Sequence, residues 1–214
     1  MCNRYEAPPP DRINQRWHPR AAENFPPGPV FPRSNGPFIR ADGAERVLAL
    51  GQWGLVPWFS KSAKLAYSTN NARFEGIETK ASFKAPWARG QRCIIPAASF
   101  DEPCWESGKN VWWRMRRADG QPWGLAGLWA TWTDPATGER VQSYTMLTLN
   151  ADNHPLMRRM HKPDAKLAPD QQDKRSVVSI EMADADTWLQ GSLAQAAQLV
   201  KLAPVDVFEA GPAG

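Results

Sequence analysis

The chain is poor in the features that would commit it to several common classes of protein. Its 214 residues include three cysteines, Cys2, Cys93 and Cys104, too few and too irregularly spaced for a disulfide framework or a paired-cysteine zinc site. No stretch approaches the roughly 20 apolar residues that a membrane-spanning helix needs. The start, with Arg4, Glu6, Asp11 and Arg12, lacks an apolar signal-peptide core. A cytoplasmic protein with no membrane partner is therefore expected. There is no phosphate-binding glycine loop and no internal repeat, and the His and Cys residues are too scattered to suggest a metal site. Neither metal nor cofactor is expected. Charge is nearly balanced, with 26 Lys and Arg against 22 Asp and Glu, a net +4.

Proline and tryptophan are in excess. There are 20 Pro, about twice the average share of about 5%, and 11 Trp. Residues 1–107 carry 14 basic and 10 acidic side chains, whereas residues 108–214 carry 12 of each. Arginine with indoles suits nucleic acid, because guanidinium groups grip phosphates and aromatic rings stack on bases. On composition alone the simpler reading is that tryptophan fills the core and that +4 is ordinary.

The proline-rich residues 7–37 read as an irregular segment, since each proline removes a ladder donor. Strands are expected at 46–50, 91–100, 111–116, 123–133, 142–150 and 177–180, with turns at 118–120 and 134–138. One helix is expected over 184–202, with Trp188, Leu189, Ala196, Leu199 and Val200 as its apolar stripe and Asp184 or Asp186 as its cap. Short strands with few helices and no βαβ alternation give an α+β class, with largely antiparallel, barrel-like sheets and peripheral helices in one domain over 1–214. Residues 203–214 lack a basic side chain and read as a loose tail.

Cys2 is the first candidate for chemistry. Removal of Met1 would leave it with a free amine beside its thiol, a 1,2-aminothiol that condenses with an aldehyde to a five-membered thiazolidine. Its amine, with a pKa of about 7.7–8.0, is partly neutral near pH 7 and can serve as base for the thiol. Asn70, Asn71, Arg73 and Glu75 pack amides and charges into one short run. Asp101 and Glu102 follow the apolar 93–100 run, where a half-buried acid would have a raised pKa and could move protons. His154 and His161 flank Arg158 and Arg159, and either histidine could work beside a phosphate.

Together these runs resemble the SRAP family, the SOS-response-associated peptidases that sense abasic sites in single-stranded DNA. Met1-Cys2-Asn3-Arg4-Tyr5 is similar to a Met-Cys-Gly-Arg-Phe/Tyr start, with Asn3 in place of glycine. Asn24 to Pro27 is similar to an Asn-x-x-Pro element, Trp53 to Pro57 to Trp-Gly-Leu-x-Pro, and Asn71 to Glu75 to Asn-Ala-Arg-x-Glu. Residues 92–102 resemble Arg-Cys-hydrophobic-x-Pro-Ala-x-x-Phe-x-Glu, with Pro103 where an aromatic usually follows. The resemblance implies that Cys2 attacks C1′ of a ring-opened abasic sugar and forms a DNA–protein crosslink. It makes Asn71 a sugar-holding residue, Glu102 a proton shuttle, and His161 the group that acts on the opened sugar, in strand cleavage or in reversal. Arg4, Arg73, Arg158, Arg159, Trp53 and Trp58 become DNA-binding residues, with single-stranded DNA as partner and the protein a monomer, nucleoid-associated when bound. Lyase and self-processing peptidase activities are implied with it. His154 is a rival for His161, because Lys162-Pro163 follows His161 where the family has His-x-Arg-x-Pro. An N-terminal-nucleophile amidohydrolase and a non-enzymatic single-strand-binding module are the alternatives. The first does not need the Asn71–Glu75 and Trp53–Pro57 runs, and the second gives Cys2 no role.

Overall fold

The strands run in chain order as β1 (Tyr5–Ala7), β2 (Gly28–Val30), β3 (Asn35–Asp42), β4 (Glu45–Trp53), β5 (Asn71–Arg73), β6 (Arg92–Ala97), β7 (Ser99–Cys104), β8 (Val111–Arg117), β9 (Trp123–Thr133), β10 (Arg140–Asn150), β11 (Arg175–Val177) and β12 (Phe208–Pro212). The helices are α1 (Pro10–Trp17), α2 (Lys84–Ala88), α3 (Ala185–Gln190) and α4 (Leu193–Leu199). They belong to a computed structural model that describes residues 1–20, 25–168 and 170–213. Asn24, which opens the Asn-x-x-Pro run, lies outside the described residues.

Strands β10, β4, β3, β6 and β9 pair in that order, and β9 pairs again with β10, closing the ring into a barrel. Strands β5 and β11 attach to β10. A second sheet has the order β12-β8-β7-β1-β2. Pairing is antiparallel except where β10 meets β4 and β5. The expected α+β class with largely antiparallel, barrel-like sheets is therefore the observed one. No helix among the described residues is long and apolar enough to cross a membrane.

The apolar run of β6 is buried along its whole length, because β3 and β9 flank it inside the barrel. Gly127 on β9 makes this packing possible. A β-carbon there would lie 2.6 Å from the Thr145 carbonyl oxygen and 2.8 Å from the Cys93 Sγ. Four indoles, Trp17, Trp53, Trp123 and Trp188, are almost wholly buried, so much of the tryptophan excess is core.

Several expectations need correction. Residues 7–37 are not irregular throughout, since they hold β1, α1, β2 and the start of β3. Pro10 occupies the first turn of α1, where a missing N–H goes unmissed and the fixed φ favours the helix. The single strand expected over 91–100 is two, β6 and β7, on different sheets. The single helix expected over 184–202 is also two. Ser192 accepts from the Gln195 N–H and the Gln195 side chain accepts from the Ser192 N–H, a capping box that starts α4 afresh. The tail is not loose either, because β12 pairs with β8 from Phe208↔Arg117 to Pro212↔Trp113. The Phe208 ring lies 5.0 Å from Trp123 and 5.6 Å from His154. Phe208→Ala should therefore destabilise the fold by about 2 kcal/mol, read by urea denaturation. A change near zero would show that the strand adds no packing.

Candidate active site

Four distant segments meet at the start of the chain. Strand β1 pairs with β7 through Tyr5↔Phe100, and the pairing extends past β1, since the Asp101 N–H donates to the Arg4 carbonyl. Residues 2–4 thereby run beside Asp101 and Glu102. Strand β5, parallel to β10, brings Asn71 to the same place. Residues 160–161 dock along the end of β7, where the His161 N–H donates to the Pro103 carbonyl at 2.6 Å.

Cys2 is fully buried. Its carbonyl accepts from Asn71 Nδ2 at 2.7 Å and from Asn70 Nδ2 at 3.2 Å, and its Sγ donates to the Arg4 carbonyl at 3.3 Å. Burial first, and then the Glu102 carboxyl, push its thiol pKa well up. Asn70 is itself fixed, because its carbonyl accepts from Trp53 Nε1 at 2.8 Å. This corrects the reading of Trp53 as a base-stacking residue. Its indole is fully buried and supports the amide that grips Cys2.

Strand alternation sends Asp101 and Glu102 to opposite faces. Asp101 is held bidentately by Arg114, at 2.9 and 3.0 Å, with Arg4 at 3.5 Å. Glu102 is 1% exposed, and neither carboxyl oxygen has a hydrogen-bond partner among the described residues. Oε2 lies 3.3 Å from His161 Nε2 and 3.7 Å from the Met1 amino group. A buried carboxylate without donors is destabilised in its charged form. Burial accordingly raises the Glu102 pKa to about 7, against the Met1 amino group, which favours ionisation.

His161 has φ +61, a left-handed backbone uncommon outside glycine. The Met1 amino group lies 3.0 Å from Nδ1 and 2.9 Å from Nε2 of its ring. Burial, the Met1 amino group and Lys174 lower its pKa to about 3. His154 differs from it in its hydrogen bonding. Its Nδ1 accepts from the Leu156 and Met157 N–H groups, so its Nε2 carries the proton and donates to the Ala203 carbonyl at 2.9 Å. Both nitrogens are engaged in holding the loop and tail.

The DNA-binding candidates divide. Trp58 is 70% exposed, and Arg158 is exposed with no ion pair among the described residues. Arg73 is half exposed and paired with Asp173 at 2.6 Å. Arg4 is engaged by Glu6 and Asp101, and Arg159 by Glu106 and the face of Trp113. Glu75, the last residue of the Asn-Ala-Arg-x-Glu run, holds Arg175 at 2.6 Å and accepts from the Asn150 N–H at 2.7 Å. Sequence reasoning noted Asn70 in the polar run without giving it a role beside Cys2, and missed Lys174 as a neighbour of this cluster. Asn70 adjoins Asn71 in the polar run, a signal that was there to be read, and Lys174 gave none.

A barrel-centred fold that buries the second residue, a cysteine, beside an unpartnered glutamate and a histidine defines a class built around its own chain start. This chain belongs to the SOS response associated peptidase (SRAP) family, whose model matches residues 1–212. It is 32% identical over 150 residues to the abasic site processing protein HMCES of Xenopus tropicalis, a match covering 56% of this chain and 44% of that protein. It thus spans less than half the length of that relative. It is 31% identical over 155 residues to the abasic site processing protein YoqW of Bacillus subtilis, covering 71% of this chain and 66% of that one. A crystal structure of a protein from Bordetella bronchiseptica superposes over 100% of both chains, with TM-score 0.88 and 36% identity.

Proposed function

We propose that this protein acts on abasic sites in single-stranded DNA and captures the opened sugar covalently at Cys2 once Met1 has been removed. The observation that carries the proposal is Glu102, a buried carboxyl without a hydrogen-bond partner that sits beside both the chain start and His161. The names of the Xenopus and Bacillus relatives support the same substrate.

The burial of Cys2 orders the chemistry. A thiol held protonated is a poor nucleophile, so the free amine attacks the C1′ aldehyde first. Glu102, poised near neutrality, gives its proton to the departing hydroxyl, water leaves, and an imine forms. That imine is protonated, because its nitrogen keeps the hydrogen left from the amine. The resulting carboxylate takes the thiol proton as sulfur adds to C1′, and the C=N electron pair returns to nitrogen as the ring closes. Aldehyde and aminothiol become thiazolidine and water, and Glu102 ends as it began. Asn71, whose Oδ1 is buried without a partner, is placed to accept from the Cys2 amine or a sugar hydroxyl. His161, neutral and 20% exposed, acts on the opened sugar in strand cleavage or reversal, and removal of Met1 by the protein itself belongs to the same proposal. Arg158, Trp58 and Arg73, the last after exchanging Asp173 for a phosphate, hold the strand. Non-covalent affinity then falls with salt.

Intact-mass analysis after incubation with an abasic single-stranded oligonucleotide tests the proposal. The expected result is one added oligonucleotide, less one water, on the Cys2 peptide. A mass that never changes overturns it. His161→Ala should leave this adduct forming but slow strand cleavage or reversal by roughly a hundredfold. His154→Ala should lower stability while the folded fraction stays competent. Single-turnover gel assays separate the two, and a cleavage defect carried by His154→Ala alone would reverse the assignment.

A further inference from the structure

We propose that Lys174 is a positioning residue for the reaction, holding His161 in its left-handed turn and fixing a positive charge behind the imidazole. The inference rests on the crosslinking reading above for its importance, though not for its geometry.

Lys174 is 7% exposed. Its ammonium donates to the Met160 carbonyl at 2.8 Å and to the His161 carbonyl at 2.5 Å, and it has no carboxylate partner among the described residues. A buried ammonium needs acceptors, and here both come from the two peptides around His161. A left-handed conformation costs a non-glycine residue about 1–2 kcal/mol, so something must select it. The Lys174 bridge grips one side of the turn, and the His161 N–H on the Pro103 carbonyl grips the other. From this turn the ring lies against Glu102 and the chain start.

Charge follows from the same placement. Glu102 faces the imidazole from β7, the Met1 amino group from the chain start, and Lys174 from the segment entering β11. Asp152 lies behind Lys174, accepting from its backbone N–H at 2.8 Å. Arg158, the Arg159–Glu106 pair and Asp164 line the adjoining cavity of about 420 Å³. A carboxyl at 3.3 Å would by itself draw a proton onto the imidazole. Burial opposes that most, then the Met1 amino group, and Lys174 adds to both. The proton of the Glu102–His161 pair therefore stays on Glu102, where imine formation needs it.

The experiment follows the His161 ring by NMR titration of histidine-labelled protein, alongside single-turnover adduct formation from pH 5 to 9, in wild type, Lys174→Met and Lys174→Arg. In Lys174→Met the His161 titration should move up by more than about one pH unit, and adduct formation at pH 7 should slow by roughly ten- to a hundredfold. Lys174→Arg, which keeps the charge, should restore the low titration. Unchanged titration and rate in a folded Lys174→Met would overturn the proposal. If Lys174→Met does not fold, an ordinary His161 titration in Lys174→Arg would overturn it instead. A wild type that forms no adduct defeats the crosslinking reading, while the titration still decides the role of Lys174.

Discussion

Cys2→Ser is expected to lose the heat-stable DNA adduct altogether, the largest single effect the site predicts. The substitution keeps the amine, so an imine to the opened sugar can still form, and borohydride should trap it as a secondary amine. What disappears is ring closure by sulfur. The serine oxygen is a weaker nucleophile, and it would sit where Sγ now donates to the Arg4 carbonyl, with no base strong enough to take its proton. Denaturing gels with and without borohydride make the distinction. Wild type should survive heating without reductant, and the variant should appear only with it. A heat-stable adduct in Cys2→Ser without reductant would sink the thiazolidine chemistry.

Glu102→Gln should become slower and, above neutrality, more stable. The Glu102 pKa is raised from its ordinary 4.5 to about 7, so the folded state binds its proton more tightly than the unfolded state does. The stability this confers is complete below about pH 4.5 and is lost as pH rises through 7. Glutamine mimics the protonated acid at every pH. The variant should therefore match wild type near pH 4 and exceed it by up to about 3 kcal/mol at pH 8. Imine formation, deprived of its acid, should fall by roughly 10²–10⁴-fold. Urea melts at pH 4, 6 and 8, on protein in one N-terminal state throughout, measure the first effect. A stability difference that ignores pH would mean that Glu102 is ionised in the fold like any surface carboxylate.

Much of this site could be read from the sequence because its residues sit in short polar runs between apolar strands. Asp101-Glu102 after the 93–100 run announced a half-buried acid, but only the fold says which carboxyl has Arg114 and which has nothing. Resemblance alone favours His161 over His154, and the residues themselves give no physical reason to choose. The hydrogen bonds that occupy both nitrogens of His154 include one to Ala203, far along the chain. Trp53 failed for a related reason, since in one dimension its indole reads like that of Trp58, five residues on, although one is buried and the other exposed. Other misses were local and legible. Ser192-x-x-Gln195 is a capping signature inside the stretch read as one helix, and Pro8-Pro9-Pro10 before Asp11 suits a helix start as well as a break. The tail misled because Phe208 finds its partners, Trp123 and His154, only in three dimensions.

The two sheets differ in one further respect. The barrel closes on itself through β9 and β10, so its main strands present no open flank. The five-stranded sheet ends in β12 and β2, and each of these carries a proline, Pro212 and Pro29. A proline supplies no N–H for another strand to pair with, and edge strands so interrupted are poor templates for intermolecular stacking. Part of the proline excess thus falls on the two open edges of this sheet, where it removes donors that an added strand would need.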